Sequence, residues 1–163
     1  MATPLAFTAR YIHSVEAVRA AIADEQYWQD RIAEVGGPGA RLEKVAVDGD
    51  RVHIDMVQAI SAELLPSAIT AVRPGDLIIP RSESWTVTTA TFVARVEGAP
   101  AEIRGTVELT GDATSATATV AGTIEVKVPL FGGKIEAAIR ERLTELLGNE
   151  EEFTNTWLTD NKS

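Results

Sequence analysis

The chain has 163 residues, 45% hydrophobic and 24% charged, with a formal net charge of −9, which fits one soluble globular domain spanning residues 1–163. That acidic balance argues against a duplex nucleic-acid surface and against a basic patch for anionic membranes. It contains no cysteine, which excludes disulfides, thiolate catalysis and Cys-ligated metals.

Met1-Ala2-Thr3-Pro4-Leu5 has neither a basic n-region nor a sustained apolar run, so no signal peptide is expected. No stretch approaches the roughly 20 apolar residues of a membrane span. A cytoplasmic protein without stable membrane insertion is the expectation.

Ala6 to Ile12 alternates as a first strand, with Phe7, Ala9 and Tyr11 on one side. Ser14 then suits a helix N-cap, with Glu16 in the first turn, and Asp24 suits the cap of a second short helix through Tyr27, Trp28, Arg31 and Ile32. Gly36-Gly37-Pro38-Gly39 ends any helix. Arg41 to Val47 and Arg51 to Ser61 flank the tight-turn signal Asp48-Gly49-Asp50 and read as a hairpin, with Val52, Ile54, Met56 and Ile60 sharing a face. Glu63 to Gly75 reads as a connection, and Leu77-Ile78-Ile79 closes onto the sheet before Pro80.

Ser82 to Glu97 reads as one strand region containing Trp85, Val87, Phe92, Val93 and Val96, followed by a turn at Gly98-Ala99-Pro100. Ala101 to Thr110 and Ser115 to Val128 alternate cleanly, which predicts one wet and one buried face. The buried face carries small residues, Gly105, Ala116, Ala118 and Gly122. Interior glycines fit a sheet that bends, and small inward residues leave room beneath whatever covers it. After Pro129 and Gly132-Gly133, residues from about Leu130 to Trp157 form a long amphipathic helix, near 40 Å at about 1.5 Å per residue. Its apolar stripe reads Phe131, Ile135, Ala138, Ile139, Leu143, Leu146, Leu147, Phe153 and Trp157, with Glu136, Glu150 and Glu151 on the polar faces. Gly148-Asn149 is a place where that helix could break.

The order of strand, two short helices, antiparallel strands and long C-terminal helix resembles the helix-grip fold of the START, Bet v 1-like and polyketide-cyclase-like (SRPBCC) superfamily. The junction from Ile124-Glu125-Val126 through Val128-Pro129-Leu130-Phe131-Gly132-Gly133 to Ile135-Glu136, with Glu152-Phe153-Thr154-Asn155-Thr156-Trp157-Leu158 and the segment Phe7 to Trp28, resembles the actinobacterial DUF2505 family. The expected architecture is α+β, a curved antiparallel sheet of about seven strands wrapped around the C-terminal helix. The resemblance also implies a deep cavity between sheet and helix, but it brings no catalytic residue with it.

Catalytic motifs are absent. His53 sits opposite Val52, Ile54 and Met56 beside Asp55, and His13 lies at a strand end, so neither is expected in catalysis. No G-x-S-x-G elbow surrounds a serine, the glycine-rich loop lacks the Lys-Ser or Lys-Thr of a phosphate cradle, and no His/Asp/Glu cluster has metal-ligand spacing. No metal or cofactor is expected. Arg73 and Arg81 flank the proline-rich connection and are placed to meet a ligand carboxylate or phosphate if that segment borders a cavity mouth. Trp28 and Trp157 read as core anchors, and Trp85 as an anchor or a pocket wall.

The expected function is non-catalytic binding or transport of an apolar or amphipathic small molecule, a lipid, fatty acid or polyketide-like compound, in a cavity between the sheet and the C-terminal helix. The pocket would be formed by Met56, Trp85, Ile103, Val107, Val120 and Ile124 from the sheet, with Ile135, Ile139 and Leu143 as a helical lid. Bulk at Ala118 or Gly122 is expected to reduce ligand uptake more than stability. The alternatives are a polyketide cyclase or aromatase, and a regulatory partner-binding module with a filled core. A monomer or weak homodimer is expected, with an exposed strand edge as the route to dimerisation.

Overall fold

Ser14 and Asp24 set the first half of the fold in the computed structural model, which describes residues 2–72 and 74–161. Strand β1 (Ala2–Tyr11) ends where the Ser14 side chain accepts from the Ala17 amide at 3.1 Å and starts helix α1 (Val15–Ile22). The Asp24 carboxylate accepts from the Gln26 amide at 2.9 Å and starts α2 (Glu25–Val35). These side chains satisfy helix-end donors that would otherwise lack partners. Strands β2 (Arg41–Asp48) and β3 (Arg51–Ile60) form the expected hairpin.

A 3-10 turn at Ala62–Leu64 and a short helix α3 (Ser67–Val72) occupy the stretch read from the sequence as a bare connection. Strand β4 (Leu77–Thr86) then runs straight through Pro80 and turns at Val87 and Thr88 into β5 (Thr89–Arg95). Residues 82–97 are therefore not one strand. Pro80 is tolerated because Ile78, two residues earlier and facing the same neighbour, accepts from the Glu97 amide, while pairing with β5 begins only at Arg81. A proline has no amide to offer there and none is needed. Val87 takes a positive φ of 53° to make the turn.

Strands β6 (Ala101–Gly111) and β7 (Ala116–Val126) complete one seven-stranded antiparallel sheet in the order β1-β7-β6-β5-β4-β3-β2. The strands from β2 onward follow as a meander, and α1 and α2 carry the chain from the β1 edge to the β2 edge. The sheet curves around helix α4 (Gly132–Asp160), as the helix-grip expectation requires. Gly105 and Gly122 pair directly across β6 and β7, between Phe92 and Leu5 on the flanking strands. A Cβ on Gly122 would collide with the Arg104 carbonyl, and one on Gly105 would lie 2.9 Å from the Phe92 ring. The bend thus depends on their lacking side chains.

Helix α4 continues through Gly148 and Asn149 without a break. Its stripe holds Ile135, Ile139, Leu143, Phe153 and Leu158 in the core, but Phe131 lies outside it, 55% exposed at the helix entry beside a fully exposed Leu130. Two carboxylates assigned to the polar faces, Glu136 and Glu150, are buried instead. No helix among the described residues is long and apolar enough to cross a membrane.

Candidate functional site

The inner face of β4 is where the sequence departs from an apolar core. Alternation from Leu77 and Ile79 carries Arg81, Glu83 and Trp85 to the same side of the sheet. From the adjacent strand β3, Gln58 faces the same way and is buried. Over them lie α2, whose stripe of Tyr27, Trp28, Arg31 and Ile32 is buried, and α4, which contributes Glu150 and Thr154.

These side chains form one network. An Arg31 terminal nitrogen lies 2.5 Å from Glu150 Oε1, and Arg81 NH1 lies 3.1 Å from Glu150 Oε2. Arg81 also donates to Gln58 Oε1 at 3.0 Å and to Glu83 Oε2 at 3.0 Å. The Gln58 amide donates to Glu150 at 2.8 Å, and the Trp85 indole donates to the other Glu83 oxygen at 2.8 Å. Tyr27 and Thr154 share a hydroxyl contact of 2.6 Å. Arg31 lies over the Trp28 ring at 4.6 Å, a cation–π contact.

Burial alone would raise the Glu150 pKa, but the positive charges of Arg31 and Arg81, with their hydrogen bonds, outweigh it and hold the group at about 2. Burial likewise opposes the Arg31 charge, and Glu150 more than offsets it, keeping the guanidinium protonated. Burial also pushes the Tyr11 hydroxyl well above its ordinary range, helped by Tyr27, Glu150 and Glu83.

Three small spaces follow one another along the inner face of α4. The first, about 60 Å³, lies between β1, α2 and the network, lined by Tyr11, Arg31, Arg81, Trp85, Ala118 and Glu150 among others. The second, about 40 Å³, is largely apolar and is bounded by Ile103, Val107, Val120 and Leu143, with Arg81 at its edge. The third, about 30 Å³, is bordered by Ile69, Leu77, Ile135 and Ile139, beneath α3. Each has room for only a few waters. In place of the single deep cavity implied by the resemblance, the first two spaces meet at shared walls of Arg81, Val107, Val120 and Leu147, and the third has no lining residue in common with either.

Of the sequence-predicted pocket residues, Trp85, Ile103, Val107, Val120, Leu143 and Arg81 line the first two spaces, and Ile135 and Ile139 line the third. Met56 and Ile124 are packed in the core, away from these spaces. Arg73 lies outside the described residues. Ala118 borders the first space, so bulk there would enter it, whereas bulk at Gly122 would strain the sheet instead.

The histidines lie elsewhere. His53 bridges Ser84 and Asp55 on the outer face, at 2.8 and 2.9 Å, and His13 reaches the end of α4 at Asn155 and Thr159. Among the described residues no group of three or more His, Asp or Glu side chains is arranged to hold a metal ion.

Sequence reasoning missed Arg31, Glu83 and Glu150. Their signal was positional: Arg31 lies four residues after Tyr27, Glu83 two before Trp85, and Glu150 seven after Leu143.

Comparison with known proteins agrees with this architecture. Residues 6–158 match the family described as "Protein of unknown function (DUF2505)". The uncharacterized protein Rv0481c of Mycobacterium tuberculosis is 32% identical over 166 residues, covering 94% of this chain and 95% of that one. Among solved structures, a START superfamily protein from Mycobacterium smegmatis superposes with a TM-score of 0.58 at 14% identity, over 95% of this chain and 98% of the other. The Zhui aromatase/cyclase from Streptomyces sp. R1128 superposes with a TM-score of 0.55 at 9% identity, over 97% and 92%. At those identities the likeness is one of fold.

Proposed function

We propose that this chain, which belongs to the DUF2505 family, is a cytoplasmic carrier that binds an elongated amphipathic small molecule between its sheet and α4 without transforming it. The observation that carries this reading is the change in polarity along α4. Charged and hydroxyl groups surround the space near Glu150, and purely apolar walls surround the one near Ile135. A molecule with one polar end and an apolar body matches that sequence of environments.

Stability alone is a poor reason for the network, because buried ion pairs often contribute less than apolar residues of similar volume. Their position at the end of an otherwise apolar row supports a role in receiving a polar group. A ligand larger than a few heavy atoms has to move side chains such as Leu147, which borders both the first and the second space.

Binding without chemistry is favoured over a cyclase-type reaction by the state of the carboxylates. Glu83 and Glu150 are held by Arg81 and Arg31, and Glu151 accepts from the Arg10 amide at 2.6 Å. A carboxylate held near pKa 2 is a poor proton acceptor at neutral pH. A monomer is supported by the β1 edge, where Glu151 and Asn155 of α4 bond the backbone of Arg10 and Ile12 and cover it against a second chain.

The experiment is a titration with a neutral, polarity-sensitive naphthyl ketone dye. Saturable blue-shifted emission with one site per chain, competed by long-chain amphipaths, is the expected result. Emission that never saturates, or that persists unchanged in Ala118→Phe, would contradict the pocket.

A further inference from the structure

Two of the side chains that line the first space, Arg31 and Tyr11, each carry a polar group with no hydrogen-bond partner among the described residues. Arg31 Nε is buried and has no hydrogen-bond partner among the described residues, although both terminal nitrogens of the same guanidinium are bonded, to Glu150 and Tyr27. Tyr11 lines the same space, and its hydroxyl makes no hydrogen bond among the described residues. A buried N–H left unpaired carries a desolvation cost, and such groups are rare without a ligand or water to meet them.

The buried charges around the space are already balanced. Arg31 and Arg81 face Glu83 and Glu150, one cation for each anion, and Glu151 adds a further negative charge at the rim. Arg81, the cation expected from the sequence to grip an anionic ligand, has both terminal nitrogens bonded to Gln58, Glu83 and Glu150. A carboxylate or phosphate entering here would bring a buried negative charge, and both cations among the lining residues already face carboxylates. A neutral oxygen with lone pairs would satisfy Arg31 Nε and the Tyr11 hydroxyl together and leave the balance intact.

We infer that the polar end of the pocket selects a neutral hydrogen-bond acceptor, a ketone, ester or amide carbonyl, over a carboxylate or phosphate. This rests on the binding reading above and specifies the head group that reading leaves open. Arg31 Nε and the Tyr11 hydroxyl are the donors to that oxygen. Trp85 and Ala118 shape the walls beside it.

The test uses three competitors of matched apolar length, methyl nonyl ketone, decanamide and decanoate, displacing the dye at pH 7. The ketone and the amide are expected to compete at least about tenfold more tightly than decanoate. In Tyr11→Phe, ketone binding should weaken about fivefold, in keeping with loss of one neutral hydrogen bond, while decanoate changes less than about twofold. Tyr11→Phe is preferred because an Arg31 variant breaks the ion pair to Glu150 and endangers the fold.

Decanoate competing as well as or better than the ketone would overturn the head-group inference and leave the binding reading standing. Equal weakening of both competitors in Tyr11→Phe would also overturn it. Absence of any saturable dye or competitor binding, with only water filling the space, would remove both.

Discussion

Arg31 on α2 and Glu150 on α4 meet 2.5 Å apart in the core, each with less than a tenth of its side chain exposed. The pair fastens the two helices over the inner face of the sheet, and Arg81 attaches it to β4. Partner loss is the severe perturbation for such a contact, because the remaining charge stays buried without compensation.

Glu150→Gln keeps the shape and removes the charge facing two guanidinium groups. It is expected to lower the unfolding free energy by about 3–5 kcal/mol. Urea denaturation followed by tryptophan fluorescence measures this, since Trp28 and Trp85 both lie beside the network. A loss below about 1 kcal/mol, the level of an exposed pair, would mean that water reaches these groups.

The same carboxylate gives a pH signature. Its pKa is about 2 in the folded chain against an ordinary value of 4.5. The unfolded chain therefore takes up its proton first as the pH falls, so the contribution to stability is fully present above about 4.5 and is lost between there and about 2. Urea midpoints of the wild type should fall across this window, and those of Glu150→Gln should fall less. Parallel slopes for the two proteins would assign the acid sensitivity to other groups.

Glu136 is a second buried carboxylate, near the start of α4. One oxygen accepts from the Thr3 hydroxyl at 2.7 Å and the other from the Val126 amide at 2.9 Å, so it ties the helix to both β1 and β7. Thr3→Val is isosteric and removes one donor to a charged acceptor, with an expected loss of about 1.5–3 kcal/mol. Hydrogen exchange should quicken in the first turns of α4 and the beginning of β1. Unchanged protection there would show that apolar packing alone seats the helix.

Val87 is a β-branched residue at φ 53° in the two-residue turn between β4 and β5, with 43% of its surface exposed. Positive φ is costly for that side-chain shape, and glycine adopts it freely. Val87→Gly should raise the unfolding free energy by about 1 kcal/mol, seen as a higher urea midpoint at constant slope.

The overall architecture was legible because its signals are local. Period-two alternation marked β6 and β7, Asp48-Gly49-Asp50 marked the β2–β3 turn, and Ser14 and Asp24 marked the helix starts. The β4–β5 turn was not legible, because Val87 and Thr88 carry no glycine or asparagine to announce it. The polar network was not legible, because its charged members occupy positions of ordinary amphipathic spacing. Glu136, Leu143 and Glu150 are spaced by seven and share one helical face, yet a carboxylate is ordinarily assigned to solvent. Only the arrival of Arg31 from α2 and Arg81 from β4, distant in sequence, makes burial of Glu150 affordable. The glycine pair showed that the sheet bends but not how much space remains, which depends on how large side chains such as Trp85 and Leu147 are seated.

The most direct test of ligand binding between sheet and α4 is native mass spectrometry of the purified protein, alone and after incubation with methyl nonyl ketone, beside Ala118→Phe treated identically. The account predicts a one-to-one adduct on the wild type, removed by organic solvent, and its loss in a folded Ala118→Phe whose added ring fills the space next to Arg31 and Tyr11. A wild-type protein that stays at its bare mass throughout, or an Ala118→Phe protein that carries the adduct equally well, would contradict it.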